Sequence, residues 1–249
     1  MINSIIVLIF GACMGSFISM ASHRLPKEED LFFKRSYCPK CKKSIKVKSL
    51  VPIFSWLIQK GKCSECKNPI PKRYILIESI TSLLFLINYL QFGFTVNGII
   101  LYLLLVCLMI MIVTDLEHYI IPDSIQIIMA ILGFVYVIVN NIDIAYTIVS
   151  SLCYLIFICV LSFVCSKVLK KEALGGADIK FFAVVGIFLG ILFLPSFLFM
   201  SGLFGTLFGL IWKKITGKEI FPFGPALAVS LYLCLYFPQT KLLLFAGVM

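Results

Sequence analysis

Charge is scarce in this chain. Of its 249 residues only 14% are Asp, Glu, Lys or Arg, roughly half the share of a soluble domain. Acids are scarcer still, 12 against 22 Lys and Arg. So little charge excludes an ordinary soluble globule. No glycine-rich turn between a strand and a helix marks a nucleotide-binding fold. No positive n-region opens the chain, as a cleavable signal peptide would have, so the first apolar run is expected to be retained. No inverted-repeat pattern of the transporter kind is visible. What the chain has instead is hydrophobic residues, 61% of the total, gathered in runs of about 20, the length a membrane helix needs.

Eight spans are expected, near residues 2–22, 75–91, 98–114, 124–140, 144–166, 179–194, 196–212 and 223–247, the last interrupted by Pro225 and Pro238 and carrying Lys241. The fold class is therefore an all-α polytopic membrane protein with a small cytoplasmic loop domain. With the N-terminus outside, segments 24–74, 115–123, 167–178 and 213–222 face the cytoplasm. Counting Lys180 at the foot of its helix, 21 of the 22 basic residues then lie on that side and only Lys241 does not, as the positive-inside rule requires. Residues 24–74 hold 14 basic residues against Glu28, Glu29, Asp30 and Glu65, a surplus equal to the whole chain's +10. Orientation and attraction to anionic lipid account for it, so no nucleic-acid partner is expected. Three parts follow: a first transmembrane helix (1–23), a basic cytoplasmic domain (24–74) and a transmembrane bundle (75–249).

Ten cysteines fall into two populations. Cys13, Cys107, Cys153, Cys159, Cys165 and Cys234 are scattered through apolar runs, where a thiol acts as a small hydrophobe. Cys38, Cys41, Cys63 and Cys66 read C-x2-C-x21-C-x2-C in the basic loop, close to the zinc-ribbon pattern. Disulfides are the alternative, but a cytosolic loop is reducing. Four thiolates close the coordination sphere, so the zinc would be structural and would help fold a loop poor in apolar residues.

Two carboxylates stand where apolar runs end. Asp115 follows the run ending at Thr114, at a helix C-terminus where the dipole disfavours an acid. Asp178 follows Leu174-Gly175-Gly176-Ala177 and leads into the next run. Asp178 could simply cap that helix; alternatively the small residues before it leave room for an extended peptide. Asp123, just after Pro122, is accounted for by the dipole at a helix start. Glu117 and His118 are expected at the aqueous boundary. In the topology above, Asp115 and Asp178 reach similar depth on one side. Two such acids sharing a proton are the chemistry of aspartic proteolysis.

The chain resembles the prepilin peptidase, or type IV leader peptidase, family. Gly15-Ser16-Phe17 with His23-Arg24-Leu25-Pro26 is similar to its opening motif. Cys38-Pro39-x-Cys41, Pro52, Ser55-Trp56-Leu57, Gly61-Lys62-Cys63-x-x-Cys66, Arg73-Tyr74 and Glu78 follow its cytoplasmic domain. Asp115 with Pro122-Asp123, Gly-Gly-Ala-Asp178-x-Lys180, and Pro222-Phe223-Gly224-Pro225 match its remaining motifs. One departure is Ala177, where the family carries glycine; alanine does not take positive φ as freely, so ordinary backbone angles are expected there. The resemblance implies a bacterial, multi-pass enzyme of the cytoplasmic membrane with its active site near the cytoplasmic face. It implies that Asp115 and Asp178 cleave the basic leader of a prepilin or pseudopilin after glycine. It further implies methylation of the new N-terminus from S-adenosylmethionine, pointing to Gly61 and Lys62 for the cofactor.

Three other readings compete. A presenilin-like protease also pairs membrane aspartates but needs neither the cysteine loop nor the Pro222–Pro225 signature. A zinc-regulated, proton-coupled transporter would use acids as proton relays, yet would place them near mid-span. A non-catalytic scaffold leaves Asp115 without a reason.

Overall fold

The computed structural model describes residues 2–31, 36–38, 40–170, 174–218 and 220–236. Among them are nine α-helices and no strands. Eight are apolar and fall where the spans are expected: α1 (Ile2–Arg24), α3 (Arg73–Phe92), α4 (Val96–His118), α5 (Asp123–Val139), α6 (Ile144–Leu169), α7 (Gly176–Leu189), α8 (Leu194–Thr216) and α9 (Gly224–Tyr236). The ninth, α2 (Phe54–Ile58), is a single turn in the loop domain. Helices α1, α3, α4, α6 and α8 are long and apolar enough to cross a membrane. Helices α5, α7 and α9 have 17, 14 and 13 residues. The sixth run was expected to reach residue 194, but α7 stops at Leu189 because Gly190 takes φ +72°. Tyr154 donates its hydroxyl to the Gly190 carbonyl at 3.2 Å, and the Ile191 N–H donates to Ser150 Oγ at 3.1 Å, so the break is satisfied internally, as an apolar setting demands. Pro39, Pro238 and Lys241 lie outside the described residues, as does the eighth span beyond Tyr236.

The chain divides into two compact units, residues 1–113 and 114–249. In the first, α1 and α3 cross at backbone contact. A Cβ on Gly11 would meet Phe85 Cβ at 2.8 Å, and one on Gly15 would meet Glu78 Cα at 2.6 Å. This small-x3-small spacing lets helices approach where lipid removes the hydrophobic drive to associate. Polar ties accompany it: Ser82 Oγ donates to the Leu8 carbonyl at 2.8 Å, and Arg73 donates to the Ser19 carbonyl and to Ser22 Oγ.

In the second unit, α7 is the central element. Gly186 sits against the Ser151 backbone of α6, and Gly133 of α5 against Ile187. Ser151 Oγ donates to the Ala183 carbonyl at 2.8 Å. Helices α8 and α9 pack together, with Phe223 filling the space over Gly205.

Candidate active site

Asp115 lies in the last turn of α4 and is only 6% exposed. Its Oδ2 accepts the backbone N–H of Gly224 at 2.7 Å, at the first residue of α9. A Cβ on Gly224 would stand 2.7 Å from the same oxygen. No side chain other than hydrogen fits there without moving the carboxylate. The Pro222–Pro225 signature therefore brings a helix N-terminus, with its partial positive charge, onto Asp115.

Asp178 is in the first turn of α7, whose N-cap is Gly175. It is not the cap itself. From the third helical position its carboxylate reaches back to the Gly175 N–H, the reciprocal half of a capping box. The interaction is short: a Cβ on Gly175 would lie 3.1 Å from Asp178 Oδ2. Asp178 is half-buried and within electrostatic range of Asp115. Both expected carboxylates thus lie in the second unit, near enough for the charge of Asp115 to act on Asp178. Ala177 is an ordinary helical residue, so its replacement of glycine distorts nothing.

Two further contacts hold the start of α7. Lys180 Nζ bonds both Asp123 oxygens at 2.8 and 2.9 Å. Gln126 Nε2 donates to the Ala177 carbonyl at 3.1 Å. Asp123, read from sequence as a dipole partner at the first residue of α5, is therefore also an anchor for the Asp178 turn. Gly224, Gln126 and the Lys180–Asp123 pair were not assigned roles by sequence reasoning. The motifs containing three of them were visible, but not what they touch. Glu117 is exposed and His118 half-buried beside it, at 4.0 Å.

The four loop cysteines converge in the first unit. Their sulfurs all lie within 4.8 Å of one another, with Cys38 and Cys66 3.9 Å apart. Zinc–sulfur bonds of about 2.3 Å in a tetrahedron require edges of about 3.8 Å, so the donor set fits that ion. The two halves repeat each other. Lys42 and Lys67, each just after a second cysteine, take φ +57° and +60°. Tyr37 bridges Ser44 as Lys62 bridges Pro69. In each half a main-chain N–H bonds back toward the first cysteine's carbonyl: Lys42 to Cys38 at 2.7 Å and Lys67 to Cys63 at 3.0 Å. Backbone N–H groups also face sulfur. The Asn68 N–H lowers the Cys66 thiol to about 7, and the Cys41 N–H lowers that of Cys38, which favours thiolates at these two positions; at Cys41, despite the Lys43 N–H, burial and the neighbouring sulfurs of Cys38 and Cys66 push the thiol up to about 11. No disulfide joins any of the ten cysteines.

Gly61 and Lys62 sit at the edge of the second knuckle. Gly61 takes φ +66°, and a Cβ there would meet Trp56 Cζ2 at 2.8 Å. Lys62 is exposed.

With this geometry, comparison with known proteins is decisive. Residues 9–92 match the Bacterial Peptidase A24 N-terminal domain, and residues 102–210 match the Type IV leader peptidase family. The Prepilin leader peptidase/N-methyltransferase of Bacillus subtilis is 31% identical over 229 residues, covering 90% of each chain. The chain belongs to the type IV leader peptidase family. This leader peptidase is also similar to the Prepilin leader peptidase/N-methyltransferase of Legionella pneumophila, 29% identical over 91% of this chain and 88% of the other. The Type 4 prepilin-like proteins leader peptide-processing enzyme of Escherichia coli is 28% identical, with 91% of each chain covered. No solved structure matches. The transporter reading has no support: the acids of this leader peptidase lie at helix ends, in the last turn of α4 and the first of α7.

Proposed function

We propose that this chain is a membrane-embedded aspartic endopeptidase that removes the basic leader of type IV prepilins or pseudopilins after glycine, and then N-methylates the exposed terminus. The observation that carries the reading is the convergence of Asp115 and Asp178 in one unit, each with a backbone N–H on its carboxylate. The relatives' names, which couple leader peptidase with N-methyltransferase, support the second activity.

In the proposed hydrolysis the pair shares one proton. Water attacks the glycyl carbonyl carbon and gives a proton to the ionised carboxylate, while the protonated partner donates to the carbonyl oxygen. The resulting diol collapses: the C–N bond breaks, the departing amine takes a proton from the protonated carboxyl, and a diol hydroxyl gives its proton to the ionised one, which restores the singly protonated pair. S-adenosylmethionine, held near Gly61 and Lys62 as the resemblance implies, would supply the methyl group for the freed amine.

The apolar helix of a prepilin confines its scissile bond to the depth of the carboxylates, which supplies much of the catalysis through positioning. In this reading segment 24–74 is the zinc-stabilised cytoplasmic domain, held by Cys38, Cys41, Cys63 and Cys66. Helix 1–23 and the bundle 75–249 lie in the bacterial cytoplasmic membrane, with the site at its cytoplasmic face. Purified protein with a prepilin substrate tests it. Asp115→Asn and Asp178→Asn each reduce cleavage by roughly 10²–10⁴-fold or more; normal cleavage by either removes the dyad.

A further inference from the structure

The stretch between the two cysteine pairs carries exposed apolar side chains. Val47, Phe54 and Ile58 are 81%, 63% and 80% exposed, and Leu50, Val51 and Leu57 are exposed as well. Apolar residues scattered singly are ordinary on a surface facing water, but six within residues 47–58 are not. Basic residues frame them. Lys46 and Lys48 stand on one side and Lys60 and Lys62 on the other, all four exposed. From Leu31 to Ser64 the sequence holds no Asp or Glu. Lys46 pairs with Glu65 beyond that stretch, at 2.9 Å.

Depth decides what covers these side chains. The Ile53 N–H donates to Glu78 Oε2 at 2.7 Å. Glu78 lies five residues past Arg73, where α3 begins, so it sits about 7.5 Å along that helix. On the other side, Leu50 and Pro52 line a groove with Cys13, Phe17 and Met20 of α1. Phe17 is seven residues before Arg24, where α1 ends, or about 10 Å from that end. Both ends are basic, with His23 and Arg24 on α1 and Lys72 and Arg73 at α3. Such residues keep their charged heads at the membrane surface. The stretch therefore hangs beside both helices, below the level of their charged ends. Interfacial apolar elements lie about 5–10 Å into the headgroup and acyl boundary, which is the same depth.

We propose that residues 47–58 rest in the interfacial layer of the bilayer, with their apolar side chains among the upper acyl chains and the flanking lysines on anionic phospholipid headgroups. The inference rests on α1 and α3 crossing the membrane, as read above. A prepilin is the other apolar occupant to consider, but its leader is basic, and like charges facing each other disfavour that pairing. Part of the segment expected in the cytoplasm thus belongs to the lipid boundary.

Tryptophan fluorescence of the full-length chain in vesicles tests this. Trp56 and Trp212, the chain's two tryptophans, are replaced by Phe, and one reporter is introduced as Val47→Trp or Ile58→Trp, positions open enough to take the ring. Phe10→Trp, at an exposed position of α1, is the spanning control. Circular dichroism shows whether each chain is folded. Should Trp56→Phe fail to fold, the same reporters are read in a chain that keeps Trp56, as the difference from its parent.

The vesicles are phosphatidylcholine brominated either near the glycerol end or near the methyl end of its acyl chains. Both loop reporters lose more emission to the shallow bromines than to the deep ones and are shielded from acrylamide in the water. Phosphatidylglycerol brominated near the glycerol end, at the same mole fraction, quenches them more than the matching phosphatidylcholine, and Lys46→Gln with Lys48→Gln removes the difference. Loop reporters that acrylamide reaches and neither bromine quenches, beside a quenched Phe10→Trp control, overturn the proposal. Shielding that appears only when a prepilin is added overturns it in favour of a substrate-binding face. Equal quenching by the two phospholipids overturns the headgroup assignment. A Phe10→Trp control that bromine leaves untouched removes the membrane-span reading of α1 instead.

Discussion

Gly224 gives its N–H to Asp115 Oδ2 at 2.7 Å, and a methyl group on Gly224 would stand 2.7 Å from that same oxygen. A single added carbon therefore displaces the carboxylate from its hydrogen bond. Gly224→Ala is expected to reduce prepilin cleavage by roughly 10²-fold, as misplacing a reacting group by about 1 Å does. The initial rate with purified substrate measures this. An unaltered rate would separate Asp115 from the chemistry.

The pH dependence of cleavage follows from the shared proton. Acid protonates both carboxyls and removes the base; alkali ionises both and removes the acid. Activity is thus expected to fall on both sides of an optimum, with two apparent pKa values belonging to the pair and to neither residue alone. A rate that climbed to a plateau with rising pH would mean that only one of the two groups titrates in the reaction.

Much of this was legible in the sequence, for physical reasons. Apolar runs of membrane length declare themselves without tertiary information; helices occupy all eight expected runs, the eighth as far as Tyr236 among the described residues, and five of them are long enough to cross a membrane. Two thiols spaced C-x2-C can reach one ion from a single turn, so the cysteine pairs needed no fold to be noticed. Asp115 stood out because it opposes its helix dipole. What was hidden depends on distant segments meeting. Nothing local to Pro222-Phe223-Gly224-Pro225 reveals a carboxylate 109 positions away. Nor does Gly11-x3-Gly15 reveal that α3 will lie against it. The end of α7 was misread because Gly190 sits inside a continuous apolar run; only its positive φ shows the break.

The ion pair between Lys180 and Asp123 is exposed, with side chains 59% and 64% accessible. Such pairs contribute only about 0–1 kcal/mol to stability. Asp123→Ala is therefore expected to leave thermal unfolding nearly unchanged yet slow cleavage, because the pair holds the turn that carries Asp178. Exchanging the two charges, Asp123→Lys with Lys180→Asp, should recover part of the rate. If the exchange recovers nothing, the pair does not act through its charge.

One zinc ion per chain is expected by elemental analysis of the purified protein, coordinated by four sulfurs in X-ray absorption. Cys63→Ser should lose the ion and make segment 36–72 sensitive to protease, since metal binding supplies folding free energy. Full protection without metal would mean that the knuckles are held by their main-chain bonds alone.

Ile53 takes φ +61° and ψ −57°, and the N–H of Phe54 closes back on the Pro52 carbonyl at 2.6 Å. A β-branched residue adopts this tight turn only when its surroundings impose it. The restraint here is Glu78, five residues inside α3 and beyond the loop itself. The cysteine-bearing segment is thus not a detachable module. Excised for spectroscopy or binding work, it would spring into an easier shape at Ile53, and measurements on the fragment would describe a different object.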